Sequence, residues 1–322
     1  MLGRVLTFAA LFWLAPFAAT TSHAASPAPS PYPDRPVSYI IPFGAGGESS
    51  IAAKLQVPVF QSLTGQDLVI SYRPGGGGAV VWSELNSMPA DGYTIVGINL
   101  PHIILQPMLG AKYKTSGITG IYIFHYTPDA IVVSDDSPFE TLNELLEYAK
   151  ENPNQITFSG SGRGTANHLA QIQFDKLGKI ETKYRAYKGT AASIQALISE
   201  QVDASWGYTT VGTKYEGDVR LLAVATEERH AQFPDVPTFR ELGFDMVGGA
   251  YRGIAVPKKT PEKIRNQLSE IFARINANPD LRQEMVRRGF AVVDIPYPKI
   301  DAFMKRQTET YKALAERAGL VR

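Results

Sequence analysis

The sequence predicts an α/β protein with a largely parallel sheet, its chain divided between two lobes. Three observations carry this. From Val37 onward, short β-branched or aromatic runs alternate with longer segments of helical period, the pattern of strand and crossover helix. About 290 residues follow an N-terminal leader, more than the roughly 250–300 at which one core stops growing allows with ease. A second series of strand–helix units, residues 128–248, interrupts the first, so the chain crosses between lobes near 128 and again near 249, the layout of a hinge.

The leader comes first. Arg4 is followed by an apolar run from Val5 to Ala19, broken by Thr7 and Pro16, and then by Ser22-His23-Ala24. That charged, greasy, small-residue order reads as a secretory signal over 1–24, cleaved after Ala24. The run is shorter than the ~18–20 residues that span a bilayer, which sets aside an uncleaved anchor. Residues 25–33, with proline at 27, 29, 31 and 33, have the composition of an extended tether. Cysteine is absent, which excludes disulfides, thiol nucleophiles, cysteine-ligated metal and lipid attachment through an N-terminal cysteine. The expected compartment is therefore a bacterial periplasm, with the protein free and not lipidated. Removing the leader leaves 31 basic residues against 31 acidic ones, a balance that argues against nucleic acid or an anionic membrane as partner.

The first lobe, 34–127 with 249–322, opens on a strand over 37–43. A helix over 51–63 follows, with Ile51, Leu55 and Val59 on one face and Pro58 set to kink it. Next come a strand over 68–72, the turn Arg73-Pro74-Gly75-Gly76-Gly77-Gly78, a helix over 79–88 and a strand over 93–98. In the second lobe, 128–248, Thr141 and Glu144 form a capping box ahead of the apolar stripe Leu142, Leu145, Leu146 and Ala149. Strands over 156–159, 182–186, 202–206 and 220–225 alternate with helices over 165–177 and 191–199. After the return at 250–256 come three helices. The first takes Thr260 as N-cap and Pro261 at its opening position, with Ile264, Leu268, Ile271, Phe272 and Ile275 as its buried face. The others end at Gly289 and Gly319.

The chemistry centres on two similar turns. Phe43-Gly44-Ala45-Gly46-Gly47-Glu48-Ser49-Ser50 leads from the first strand into the first helix, and Ser159-Gly160-Ser161-Gly162-Arg163-Gly164-Thr165-Ala166-Asn167-His168 is its partial echo. A helix N-terminus leaves N–H groups unpaired and carries about half a positive charge, so glycines that admit a ligand make an anion site. Ser49, Ser50, Ser159, Ser161, Thr165 and Asn167 add neutral donors suited to carboxylate oxygens. If the two turns face each other across a cleft, they hold an acid with a carboxylate at each end. The plain alternative is that the glycines only make tight turns. Neither turn matches a phosphate-binding G-x-x-x-x-G-K-[ST] or a full G-x-G-x-x-G, since Ser49 and Thr165 stand at the third-glycine positions.

Enzyme and metal readings find less. Ser161 beside His168 invites a serine hydrolase, but Ser159 stands where the G-x-S-x-G elbow needs glycine. His102, His125, His168 and His230 show no H-x-x-x-H or H-E-x-x-H spacing, so no catalytic residue, cofactor or metal is assigned. Tyr208 follows a strand end, where side chains of open α/β sheets reach the ligand crevice. Arg252, at the return crossing, is read as a carboxylate clamp or, more commonly for such a residue, as a salt-bridge partner. Lys188 reads as a solvated turn residue.

These residues resemble the periplasmic solute receptors of tripartite tricarboxylate transporters, the Bordetella uptake gene family. The resemblance spans the mature chain: Tyr32-Pro33-Asp34-Arg35-Pro36, Pro42-Phe43-Gly44-Ala45-Gly46-Gly47, Arg73-Pro74-Gly75-Gly76-Gly77, Ala90-Asp91-Gly92-Tyr93-Thr94, Gly162 to His168, Tyr187-Lys188-Gly189 and Pro234-Asp235-Val236-Pro237-Thr238. It implies a two-lobed binding protein of the Venus-flytrap type that closes on an organic anion and delivers it to a two-component membrane permease, acting as a monomer. It also implies that the two glycine turns, 43–50 and 159–168, grip the ligand's proximal carboxylate. Family members commonly carry aspartate where Ser50 stands, a departure that leans away from amino acids, although Glu48 could compensate. Arg252-Gly253 and the ending at 315–320 resemble the tricarboxylate-binding branch, which brings citrate and C4-dicarboxylates among the candidates. A ligand-dependent signalling partner for a membrane sensor is the alternative role.

Overall fold

The computed structural model describes residues 32–321. The expected signal sequence, with its cleavage point, lies outside the described residues, as does the expected tether up to Pro31. Tyr32, placed in that tether by sequence, is docked: its hydroxyl donates to the Gly92 carbonyl at 2.6 Å and its ring meets Tyr93 edge-on.

The first half builds β1 (Val37–Ile41), α1 (Glu48–Thr64), β2 (Leu68–Tyr72), α2 (Ala79–Glu84), β3 (Thr94–Leu100) and α3 (His102–Met108). β4 (Thr119–Ser134) then carries the chain across. The inserted half holds α4 (Leu142–Glu151), β5 (Thr157–Gly160), α5 (Ala166–Gly178), β6 (Lys183–Ala186), α6 (Thr190–Ile198), β7 (Ala204–Tyr208), α7 (Thr209–Lys214) and β8 (Val219–Val224). β9 (Gly249–Val256) returns, followed by α8 (Glu262–Asn276), α9 (Pro279–Arg287), β10 (Ala291–Pro296) and α10 (Tyr297–Ala318).

The strands form a mixed sheet in the order β2-β1-β3-β9-β4-β7-β5-β6, with β8 and β10 also paired to β4. Its two arms are parallel, as expected. The centre is not: β9 runs antiparallel to β3 and to β4, and β4 antiparallel to β7 and β8. The physical reason is that each crossing is made in a strand, so the chain enters and leaves the inserted half along one ladder. Pro128 sits opposite Gly249 in that ladder.

Apolar burial follows the same division. One core gathers Ile41, Trp82, Ile98, Phe124, Phe272 and their neighbours, drawn from 37–124 and 254–315 with Leu169 added. The other half is built around Phe158, Phe174, Trp206 and Phe239, whose rings meet at centroid distances of 5.6–6.3 Å, in edge-on, tilted and stacked pairs that add to the roughly 1.5–3 kcal/mol of each buried side chain.

Several local expectations need correction. α1 begins three residues earlier than its apolar period implies. The N-cap of α8 is Pro261 rather than Thr260. The Thr260 amide closes a turn onto the Pro257 carbonyl, and its buried hydroxyl finds no partner. The first half of β4, α3, α7 and β10 had no assignment from sequence.

Candidate functional site

The 43–50 turn does what its glycines suggest. It ends β1 and hands the chain to α1, with Gly47 as an N-cap that makes no side-chain cap bond. The first N–H groups of α1 therefore lack both an intrahelical partner and a local cap. What faces this turn is mainly the segment Tyr187–Thr190 with α7, not the 159–168 turn. The Gly44 amide donates to the Lys188 carbonyl at 2.9 Å, and Lys214 Nζ to the Gly46 carbonyl at 2.6 Å. Thr190 and Thr210 donate to Glu48 Oε2 at 2.7 Å and Oε1 at 3.0 Å. Lys188 is thus part of the contact between the halves through its backbone.

The 159–168 turn leads into α5 with Thr165 as N-cap, its Oγ1 accepting from the His168 amide at 3.4 Å and donating to the Gly162 carbonyl at 2.7 Å. It faces α3 and the other glycine turn of the first half: Gln106 Nε2 of α3 donates to the Arg163 carbonyl at 2.6 Å, and a Cβ on Gly77, which has φ of 61°, would lie 2.7 Å from the same carbonyl. Gly162 and His168 border a wide recess of about 1010 Å³ beside Gly77, Arg163 and Lys188. Ser159 is turned inward, accepting from Ser193 Oγ at 2.8 Å, and the Gly160 carbonyl accepts from the Tyr187 amide at 2.9 Å.

Between the halves lies a buried polar chamber. Phe43, Gly44, Gly47, Glu48, Ser49 and Ser50 line it from the first turn, and Ser161 alone reaches it from the second. Tyr208 and Arg252 complete the expected set there; Ala45 and Gly46 do not line it. Its volume is about 10 Å³, the room of one water molecule. Asn99, His102 and Thr190 also line it and were not anticipated. Asn99 and His102 flank the carboxyl end of β3, a position that sheet geometry alone could have flagged. Thr190 directly follows Gly189, but nothing local marks Thr210.

Arg252, 2 % exposed in β9, organises the electrostatics. Its Nη2 stands 3.5 Å from Glu48 Oε2, its Nη1 donates to Thr127 Oγ1 and to the Ala250 carbonyl, and its guanidinium lies 4.6 Å over the Tyr208 ring. Arg252 Nε, His102 Nδ1 and Asn99 Oδ1 find no partner within the protein, and the Tyr208 hydroxyl lies beside Ser161 without a hydrogen bond of good geometry. Buried polar atoms are ordinarily satisfied, and all four belong to residues that line the one chamber. Burial, reinforced by Arg252, holds His102 well below its ordinary pKa and therefore neutral. Burial also lifts Asp129 to about 8, against the opposing pull of Arg252 and of Asn167, whose Nδ2 donates to Asp129 Oδ1 at 3.1 Å.

The two side chains of the hydrolase alternative bond to other partners. Ser161 Oγ donates to Asn167 Oδ1 at 2.6 Å, while His168 Nδ1 accepts from the Gly164 amide at 3.3 Å. Burial and Arg163 depress His168 to about 4. The Ser50 hydroxyl is taken up by Tyr72 at 2.7 Å. Among the described residues, no three His, Asp or Glu side chains gather as a metal site.

A two-lobed α/β frame with a buried polar chamber between its halves defines a binding protein of the periplasmic type. The chain belongs to the tripartite tricarboxylate transporter family of receptors, whose sequence model matches residues 51–320. It is 28 % identical over 296 residues to a protein of the gbd 5′ region of Cupriavidus necator, covering 90 % of each chain. The periplasmic binding protein BugD has a similar structure, with TM-score 0.85, 27 % identity, and coverage of 89 % of this chain and 99 % of that one. Rpa4515 of R. palustris, solved with adipate, shares the fold at TM-score 0.85 and 23 % identity, over 89 % and 98 % of the two chains.

Proposed function

We propose that this protein is a periplasmic receptor that closes on a small organic di- or tricarboxylate between its lobes and delivers it to a two-component permease of the tripartite tricarboxylate type. In this reading residues 1–24 direct export and are removed after Ala24, and the unlipidated, monomeric protein binds without catalysing a reaction. The lobes are 34–127 with 249–322, and 128–248, parting about the paired positions Pro128 and Gly249.

One observation carries the reading: Arg252 and Tyr208, whose Nε and hydroxyl are buried and unpaired, line one chamber together with the first residues of α1, whose N-terminus has no side-chain cap. Charged, hydroxyl and main-chain donors together are what a carboxylate requires. The adipate held by the Rpa4515 neighbour supports the same ligand class. In this reading the lobes part before such an acid enters, since the chamber as it stands is about 10 Å³.

The test is a thermal-shift panel of citrate, malate, succinate, malonate, adipate and aromatic dicarboxylates, with amino acids beside them, followed by calorimetry. An acid at 100 times its dissociation constant adds about 2.7 kcal/mol of stability. If no organic acid raises the melting temperature or gives binding heat, the reading fails.

A further inference from the structure

Glu48 already does, from within the chain, what a ligand carboxylate is expected to do. Its two oxygens accept from Thr190 and Thr210 of the inserted half and stand against Arg252 Nη2 of the other. Glu48 itself is 5 % exposed. We propose that Glu48 is a tethered competitor: its carboxylate latches the two lobes by holding these donors, and an organic acid binds by displacing it. The inference rests on reading the chamber as a carboxylate site and deepens that reading, since it names the residue that decides which solutes gain admission.

Three physical arguments support it. The first is room. About 10 Å³ accommodates a water molecule but no acid, so any acid must move a lining group. The second is charge. Among the chamber's lining residues Glu48 is the acidic one, and two carboxylates cannot share one guanidinium at close range in a poorly solvated site without strong repulsion. The third is access. Glu48 is the first residue of α1, preceded by Gly46 and Gly47, with Gly46 at φ of 87°. Its side chain can swing out while the helix stays wound, leaving the α1 N–H groups, the threonine hydroxyls and Arg252 to the guest.

A latch of this kind is also a filter. A neutral solute cannot replace a carboxylate at Thr190, Thr210 and Arg252, because displacement would leave a buried guanidinium without its counter-charge. An anion that brings its own carboxylate makes the exchange nearly even and gains its remaining contacts as net affinity. The Lys214 and Gly44 contacts across the same boundary hold no charge of the chamber and do not take part in the exchange.

The experiment uses the full-length mature protein and Glu48→Gln, which keeps the side-chain shape and removes the charge. Small-angle scattering without added ligand should show a larger radius of gyration for Glu48→Gln than for wild type. Calorimetry with succinate, malate, adipate and citrate should show those acids binding about fivefold or more tightly to the variant, a change of about 1 kcal/mol. Weaker or unchanged binding overturns the competitor role, making Glu48 a ligand contact or a bystander. An unchanged radius overturns the latch. If Glu48→Gln does not fold, the Thr190→Val, Thr210→Val double variant removes the same two bonds from the other side and must give the same opening. Should none of the four acids bind either protein, the carboxylate reading falls while the scattering comparison still decides the latch.

Discussion

Asp129→Asn should make the protein progressively more stable than wild type as the pH rises. Asp129 lies in β4 opposite Tyr208 of β7, 3 % exposed. Its carboxyl is held by burial at a pKa of about 8, against 3.8 for the free group. Between those values the folded protein keeps the proton and the unfolded chain has shed it. The unfolded state therefore binds fewer protons, and stability contributed by this residue falls with rising pH. Each unit in that window costs about 1.4 kcal/mol. Asparagine resembles the protonated acid in shape, can still accept from Asn167 Nδ2, and does not titrate. The difference in unfolding free energy between variant and wild type should therefore grow by about 2.7 kcal/mol from pH 5 to pH 7. Urea unfolding at the two values measures it, and contributions from every other titrating group cancel in the difference. A difference that stays constant between pH 5 and 7 refutes the argument, because it means that Asp129 ionises in the fold as it does in the open chain.

Two further substitutions test the frame around the site. Gly253→Ala, in β9, places a Cβ 2.1 Å from the Tyr122 carbonyl of the neighbouring strand, a backbone atom that cannot give way. It should lower stability by about 3 kcal/mol or more in urea titration, and a loss under about 1 kcal/mol would mean that the two crossing strands slide easily past each other. Thr141→Ala removes the acceptor of the Glu144 amide in a box where Glu144 Oε2 also binds the Thr141 amide. It should cost about 1 kcal/mol by the same measurement, with no effect on acid binding.

What could be read from the sequence was what is decided locally. The Thr141–Glu144 box and the stripe Leu142, Leu145, Leu146 and Ala149 lie where their spacing places them, all four of the stripe buried. The strand–glycine–helix turns at 43–50 and 159–168 could be read for the same reason, since glycine and N-cap chemistry act within a few residues. The first half of β4 could not. Ile121 to Phe124 are all buried, so they show no alternation, and Pro128 within the strand argues against a strand at all. α3 follows Pro101, carries Pro107 within it and buries Ile103, Ile104 and Leu105 together, which erases its period. Nor could the pairing of the turns be read. Which glycine turn meets which depends on how two halves dock, and the decisive bonds join residues 142, 162 and 204 positions apart.

Glu48 and Glu144 make the limit concrete. Both stand in the first turn of a helix, where the backbone's partial positive charge favours an acid, and both have that same local explanation. Glu144 is exposed and turns back to its own N-cap. Glu48 follows a glycine that offers no cap bond, and lies in the cleft. Burying a carboxylate costs far more than the helix terminus returns, so it persists only with donors close on every side. Those donors are Thr190, Thr210 and Arg252, none of which is near it in sequence. The fold has therefore placed a carboxylate, fully furnished with partners, at the point where the protein is expected to receive one. That coincidence is the ground of the proposed latch, in which Glu48, rather than the glycines around it, links ligand choice to lobe closure.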